Sequence, residues 1–151
     1  MERRTINDML ADARAGLHRL WPAEAHAAME DGALLIDTRC GELRRRDGSI
    51  PGSVHAPLSV LFWRLDPASG YDDAELSQGL DRRVILMCDH GFSSSLAAAT
   101  LRDRASRSQP TSRVGSRRGP PLRFRHQLAV AREGADGGRH IDGKGHATIL
   151  A

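Results

Sequence analysis

Residues 88 to 95 read CDHGFSSS: a cysteine followed at once by an acid, a histidine, a glycine, a phenylalanine and three hydroxyls. The cysteine stands between a strand-like apolar run, RVILM, and a helix-like run, SLAAATLRD. A thiol at such a junction is either a small buried hydrophobe ending a strand or a thiolate held at the mouth of a helix. In the second case the backbone N–H groups of Asp89 to Ser93 curl around the sulfur, and Gly91 permits the tight path. The positive end of the following helix adds its partial charge. Such a site favours an anion. It lowers the thiol pKa from roughly 8.5 and can hold a negatively charged persulfide with no metal or organic cofactor.

The elements that must position this cysteine are legible on either side of it. TINDMLADARAGL offers a cap at Thr5 or Asn7 and places Ile6, Met9, Leu10, Ala13 and Leu17 on one face, which predicts an amphipathic helix. HRLWPAEAHAAMEDG reads as a short extended piece, a proline suited to the first helical turn, an alanine-rich helix and Gly32 as its stop. ALLID is a short continuous apolar run of the kind buried in a parallel sheet, and it delivers Asp37, Thr38 and Arg39 to the loop beyond it. The turn-rich stretch RRRDGSIPGSVHAPLSV reads as a surface loop with Ile50, Val54 and Ala56 along a short extended segment. LFWRLDP and DDAELSQGL read as short helical pieces, RVILMC as the second buried strand, and about Ser94 to Asp103 as a helix. Strands alternating with helices predict an α/β domain with a central, mostly parallel sheet. In such sheets the functional crevice lies outside the carboxyl ends of the strands, where Cys88 falls.

Three segments, LLIDTRCGEL, GSIPGSVHAPL and the loop CDHGFSS, occur here in the order and spacing of a rhodanese domain. The stretch from Trp21 to Arg104 resembles that family, in its small single-domain sulfurtransferase form. The resemblance implies that Cys88 is the nucleophile and carries sulfur as a persulfide between a donor, such as thiosulfate or a protein persulfide, and a cyanide or thiol acceptor. It implies a cradle formed by Asp89, His90, Gly91, Phe92, Ser93 and Ser94, with Asp37 and Arg39 bracing the adjoining loops. His55 reads as a surface histidine rather than a site residue, and His90 as either. The carboxylate of Asp89 disfavours a dianionic donor.

Other readings are weighed by the same residues. Cys40 reads as a buried structural bystander, because its loop is not a recognisable anion nest. A cysteine phosphatase needs an arginine six positions after its nucleophile to grip phosphate, and Ser94 stands there. A zinc site lacks cysteine or histidine partners at ligand spacing. A module that binds a partner or senses oxidants without turnover remains the alternative to an enzyme. Two cysteines and no apolar leader fit a reducing cytoplasm, and no apolar run is long enough to predict a membrane span.

The net charge of +3 is uneven: residues 102 to 151 carry +7 and the preceding residues −4. Beyond Arg104 the chain is rich in Arg, Gly, Ser and Pro, is expected to be largely disordered, and offers only LRFRHQLAVAR as a helix candidate. The expected organisation is therefore an N-terminal helical extension over 1–20, the domain over 21–104 and a basic tail over 105–151. Nucleic acid is not expected as a partner, because the tail has no aromatic interleaving beyond Phe124. Where the resembled family continues with another strand, a Gly-Gly turn and a closing helix, this chain reads RASRSQPTSRVGSRRG. Read one base out of phase, the codons for Arg104 to Gly119 can spell a Gly-Leu start, Thr-Asp-Val, Gly-Gly-Phe and then a Trp. A frameshift near Arg104, in the gene or its sequencing, is the expected cause.

Overall fold

The computed structural model describes residues 3–77, 82–107 and 128–131. In chain order the elements are α1 (Ile6–Ala15), β1 (His18–Leu20), α2 (Pro22–Glu30), β2 (Leu34–Asp37), α3 (Gly41–Asp47), β3 (Val54–His55), α4 (Leu58–Arg64), α5 (Ala74–Ser77), β4 (Val84–Met87), α6 (Phe92–Arg107) and β5 (Leu128–Ala131). They form an α/β fold: one five-stranded sheet in the order β1-β5-β4-β2-β3, every pair parallel, flanked by helices.

The two runs that read as buried strands are β2 and β4, and they are neighbours, with Asp37 opposite Met87. Continuous apolar sequence suits them because both faces are covered. Leu34, Ile36, Val84 and Leu86 face one core with Leu61, Leu65, Leu76, Ala97, Ala98 and Leu101. Leu35 and Ile85 face the other with Leu20, Ala25 and Ala28. Helix α1 begins at the expected cap: the Thr5 hydroxyl accepts from the Asp8 amide while the Asp8 carboxylate accepts from the Thr5 amide. Pro22 opens α2, and Gly32, at φ +92°, follows its end.

Four findings differ from expectation. Gly41–Asp47, read as the edge of a surface loop, is the helix α3. It carries three arginines and a single large apolar residue, Leu43, so no apolar period marks it. Leu128–Ala131, inside the segment offered as a helix candidate, is instead a strand lying between β1 and β4. Four small or apolar residues serve either structure, and the vacant slot beside β4 decides in favour of the strand. Helix α6 runs to Arg107, past the expected end at Asp103. The remaining residues of the tail and of SQGL lie outside the described residues, except Ser77, which ends α5. His18–Leu20, from the segment expected as an extension, form the edge strand of the sheet.

Candidate active site

Cys88 follows β4 at the carboxyl edge of the sheet and is half-buried. The strand end beneath it is pinned by Thr38, whose amide and hydroxyl both donate to the Met87 carbonyl at 2.8 Å. The chain then turns through Asp89, His90 and Gly91 into α6. Gly91 has φ +66°, a left-handed conformation that other residues enter only with strain. That turn brings the first helical residues back to the sulfur. The Ser94 amide donates to Sγ at 3.4 Å, and the thiol donates to the Ser94 hydroxyl at 3.1 Å, a bond that reverses when the sulfur ionises. Ser94 and Ser95 are fully buried, and the Ser95 hydroxyl closes the turn by donating to the Gly91 carbonyl at 2.6 Å.

Burial pushes the Cys88 thiol up, but hydrogen bonds from the Ser93 and Ser94 side chains and from the Ser94 and Gly91 amides outweigh it, so its pKa is lowered. The donors around the sulfur thus favour its ionised form over that of a free thiol. Phe92 is exposed beside it, with the His90 ring 5.9 Å from its own. His90 lies outward, its Nδ1 3.2 Å from the Asp89 carboxylate.

Beside this loop, β2 ends in a buried ion cluster. Asp37, fully buried, accepts from Arg39 Nε at 3.0 Å and Nη2 at 2.8 Å, from the Arg39 amide at 3.1 Å and from Arg44 Nε at 3.0 Å. Burial works to raise the Asp37 pKa, and the Arg39 hydrogen bonds and the Arg39 and Arg44 charges together bring it below the usual carboxylate range. Arg39 Nη2 also donates to the Gly48 carbonyl beyond α3 at 2.9 Å. His55 Nε2 lies 2.9 Å from the Arg39 carbonyl, so that nitrogen carries its proton. His55 is half-buried within this frame rather than a surface residue.

Cys40, expected to be buried, is exposed as the residue capping α3. A helix that begins in the loop lifts its cap toward solvent. Among the described residues no group of three or more His, Cys, Asp or Glu side chains could hold a metal ion. No described helix is long and apolar enough to cross a membrane.

Sequence reasoning missed Thr38, Arg44 and Ser95 as partners of the frame. Thr38 had a signal, standing between two residues already singled out at the end of a strand. Arg44 had none without α3. It also missed Arg14, which reaches the cysteine loop from α1.

The rhodanese-like domain family matches residues 22–117. The chain belongs to that family. The match begins at α2 and continues past Arg104 into the basic segment. No curated protein matches. Among solved structures, a protein of unknown function, possible tyrosine phosphatase, from Rhodopseudomonas palustris CGA009 is similar at 26% identity and a TM-score of 0.67, over 89% of this chain and 88% of that one. A thiosulfate sulfurtransferase from Pseudomonas aeruginosa is similar in fold at 22% identity and a TM-score of 0.53, over 84% of this chain and 19% of that one.

Proposed function

We propose that this chain is a sulfurtransferase in which Cys88 carries the sulfur. The observation that bears most weight is the convergence of the Gly91 and Ser94 amides and the Ser93 and Ser94 hydroxyls on one partly exposed sulfur. Those donors stabilise the thiolate, the reactive form, and equally the outer sulfur of a persulfide. In the first half-reaction the Cys88 thiolate attacks the outer sulfur of a donor such as thiosulfate. A new S–S bond forms, the donor's S–S bond breaks, and sulfite leaves with the electron pair. In the second, a thiolate or cyanide attacks the outer sulfur of the persulfide and returns Cys88 as thiolate. Neither step needs a cofactor.

Phosphate-ester hydrolysis is disfavoured by the same atoms. The position that needs a phosphate-gripping arginine holds Ser94, buried and bonded to the sulfur. Arg39 and Arg44, which lie nearby in sequence to β2, are engaged by Asp37.

Incubation of the full chain with thiosulfate or a small persulfide, followed by intact-mass spectrometry, tests the reading. The expected result is a gain of one sulfur atom that cyanide reverses and that Cys88→Ser abolishes. A folded chain that takes up no sulfur from either donor would leave the binding or redox-sensing module as the reading.

A further inference from the structure

Helix α1 lies outside the matched family segment, yet it reaches the sulfur loop. Near its end Arg14 Nη2 donates to the Gly91 carbonyl at 3.3 Å, and its guanidinium carbon lies 5.4 Å from the centre of the Phe92 ring. The Gly91 carbonyl is the same one that Ser95 grips from α6. Two donors on one carbonyl fix the plane of the Gly91–Phe92 peptide, and with it the left-handed turn that brings the Gly91 and Ser94 amides to the sulfur. The base of Arg14 is itself anchored: Ala13 is buried, and Arg102 of α6 donates to the Gly16 carbonyl at the end of α1.

The charge of Arg14 sets it apart from the other cations of the region. Arg39 and Arg44 are paired with Asp37, and Arg46 with Asp47. Among the described residues no carboxylate lies within ion-pair distance of Arg14, and its buried Nε has no hydrogen-bond partner. The titratable and charged groups around the loop are Asp89 and His90 within it, Arg39 and Arg46, both under the influence of Asp89, from the side of β2 and α3, and Arg14 from α1. Of these arginines, Arg14 is the one for which no ion pair with a carboxylate is formed among the described residues.

We propose that Arg14 is a positioning residue of the sulfur site, holding the Gly91–Phe92 peptide and bringing a positive charge to the cysteine loop. Its meaning for sulfur transfer rests on the function proposed above. Helix α1 is then part of the working site of this chain rather than an appendage to the family domain.

The test is the pH profile of Cys88 alkylation by iodoacetamide in the full chain, which reads the thiolate with no sulfur donor present. Arg14→Ala raises the apparent thiol pKa by about half a unit and slows alkylation below that pKa about threefold. Arg14→Lys keeps the charge but loses the planar fork and its stack, giving a smaller shift in the same direction. A folded Arg14→Ala chain with the unaltered profile overturns the proposal. Should that chain fail to fold, Arg14→Lys and Phe92→Leu carry the test: slower alkylation in both supports it, and an unaltered profile in both overturns it. A shifted profile in a chain that accepts no sulfur would remove the sulfurtransferase reading and leave the role of Arg14 in place.

Discussion

Ser94 shows how a single residue sets the chemistry of a cysteine loop. Its hydroxyl and its amide both meet Sγ, and the side chain is fully buried, so it cannot relax toward water when the sulfur ionises. Replacing it by alanine keeps the amide and removes the hydroxyl. The burial that pushes the thiol up then meets fewer opposing donors, and the thiol pKa of Ser94→Ala rises by about one unit. At neutral pH, below that pKa, alkylation and sulfur loading slow about tenfold. The sign follows from the wild-type direction: with the pKa lowered, reactivity climbs as pH rises through the thiol pKa and levels off at a lower pH than for a free thiol. A Ser94→Ala profile superimposable on the wild type would show that backbone amides alone hold the thiolate.

At the scale of elements, the site is the meeting of two strand ends, and each end has its own frame. Asp37, the last residue of β2, ties that strand to the loop and to α3 by accepting from Arg39 and Arg44. Asp37→Asn removes the charge and leaves the buried Arg39 guanidinium poorly matched, at a cost of about 3 kcal/mol in urea unfolding at neutral pH. Because the folded-state pKa of Asp37 is lowered, its contribution is present above its unfolded value near ~4 and is lost as pH falls through the folded value. The gap between wild type and Asp37→Asn therefore narrows in acid; a gap constant down to low pH would mean that the charge contributes nothing. The sequence made β2, β4 and the loop between β4 and α6 legible because continuous apolar runs ended by polar residues have few other uses. Helix α3 was illegible: with Leu43 its only large apolar residue, it is fixed by neighbours such as the Arg44–Asp37 bond and not by a pattern of its own. Arg14 was hidden for a related reason, since its contact with Gly91 spans 77 residues and no local spacing announces it.

At the scale of the whole molecule, the sheet depends on the segment that composition made least promising. Strand β5 pairs with β1 on one side and with β4 on the other, so it joins the edge strand to the strand that presents Cys88. The sequence left this strand unreadable because LAVA is too short to show a period, and twenty residues separate it from the end of α6. Connections inside compact domains are usually about 4–6 residues, and a longer link adds closure entropy slowly. The out-of-phase reading of the codons after Arg104 would instead offer its Thr-Asp-Val directly after the helix. These two endings compete for one slot, and the difference is measurable. A chain stopped at residue 117, where the family match ends, lacks β5 and leaves β1 and β4 with unpaired facing edges. It should lose its cooperative thermal transition, followed by circular dichroism. A chain carrying the out-of-phase ending should regain that transition and melt above the full-length chain, because its strand closes the sheet through a shorter link. A cooperative melt of the chain stopped at 117 would mean that the sheet stands without any strand between β1 and β4, and a lower melt for the out-of-phase chain would make LAVA the better occupant of the slot.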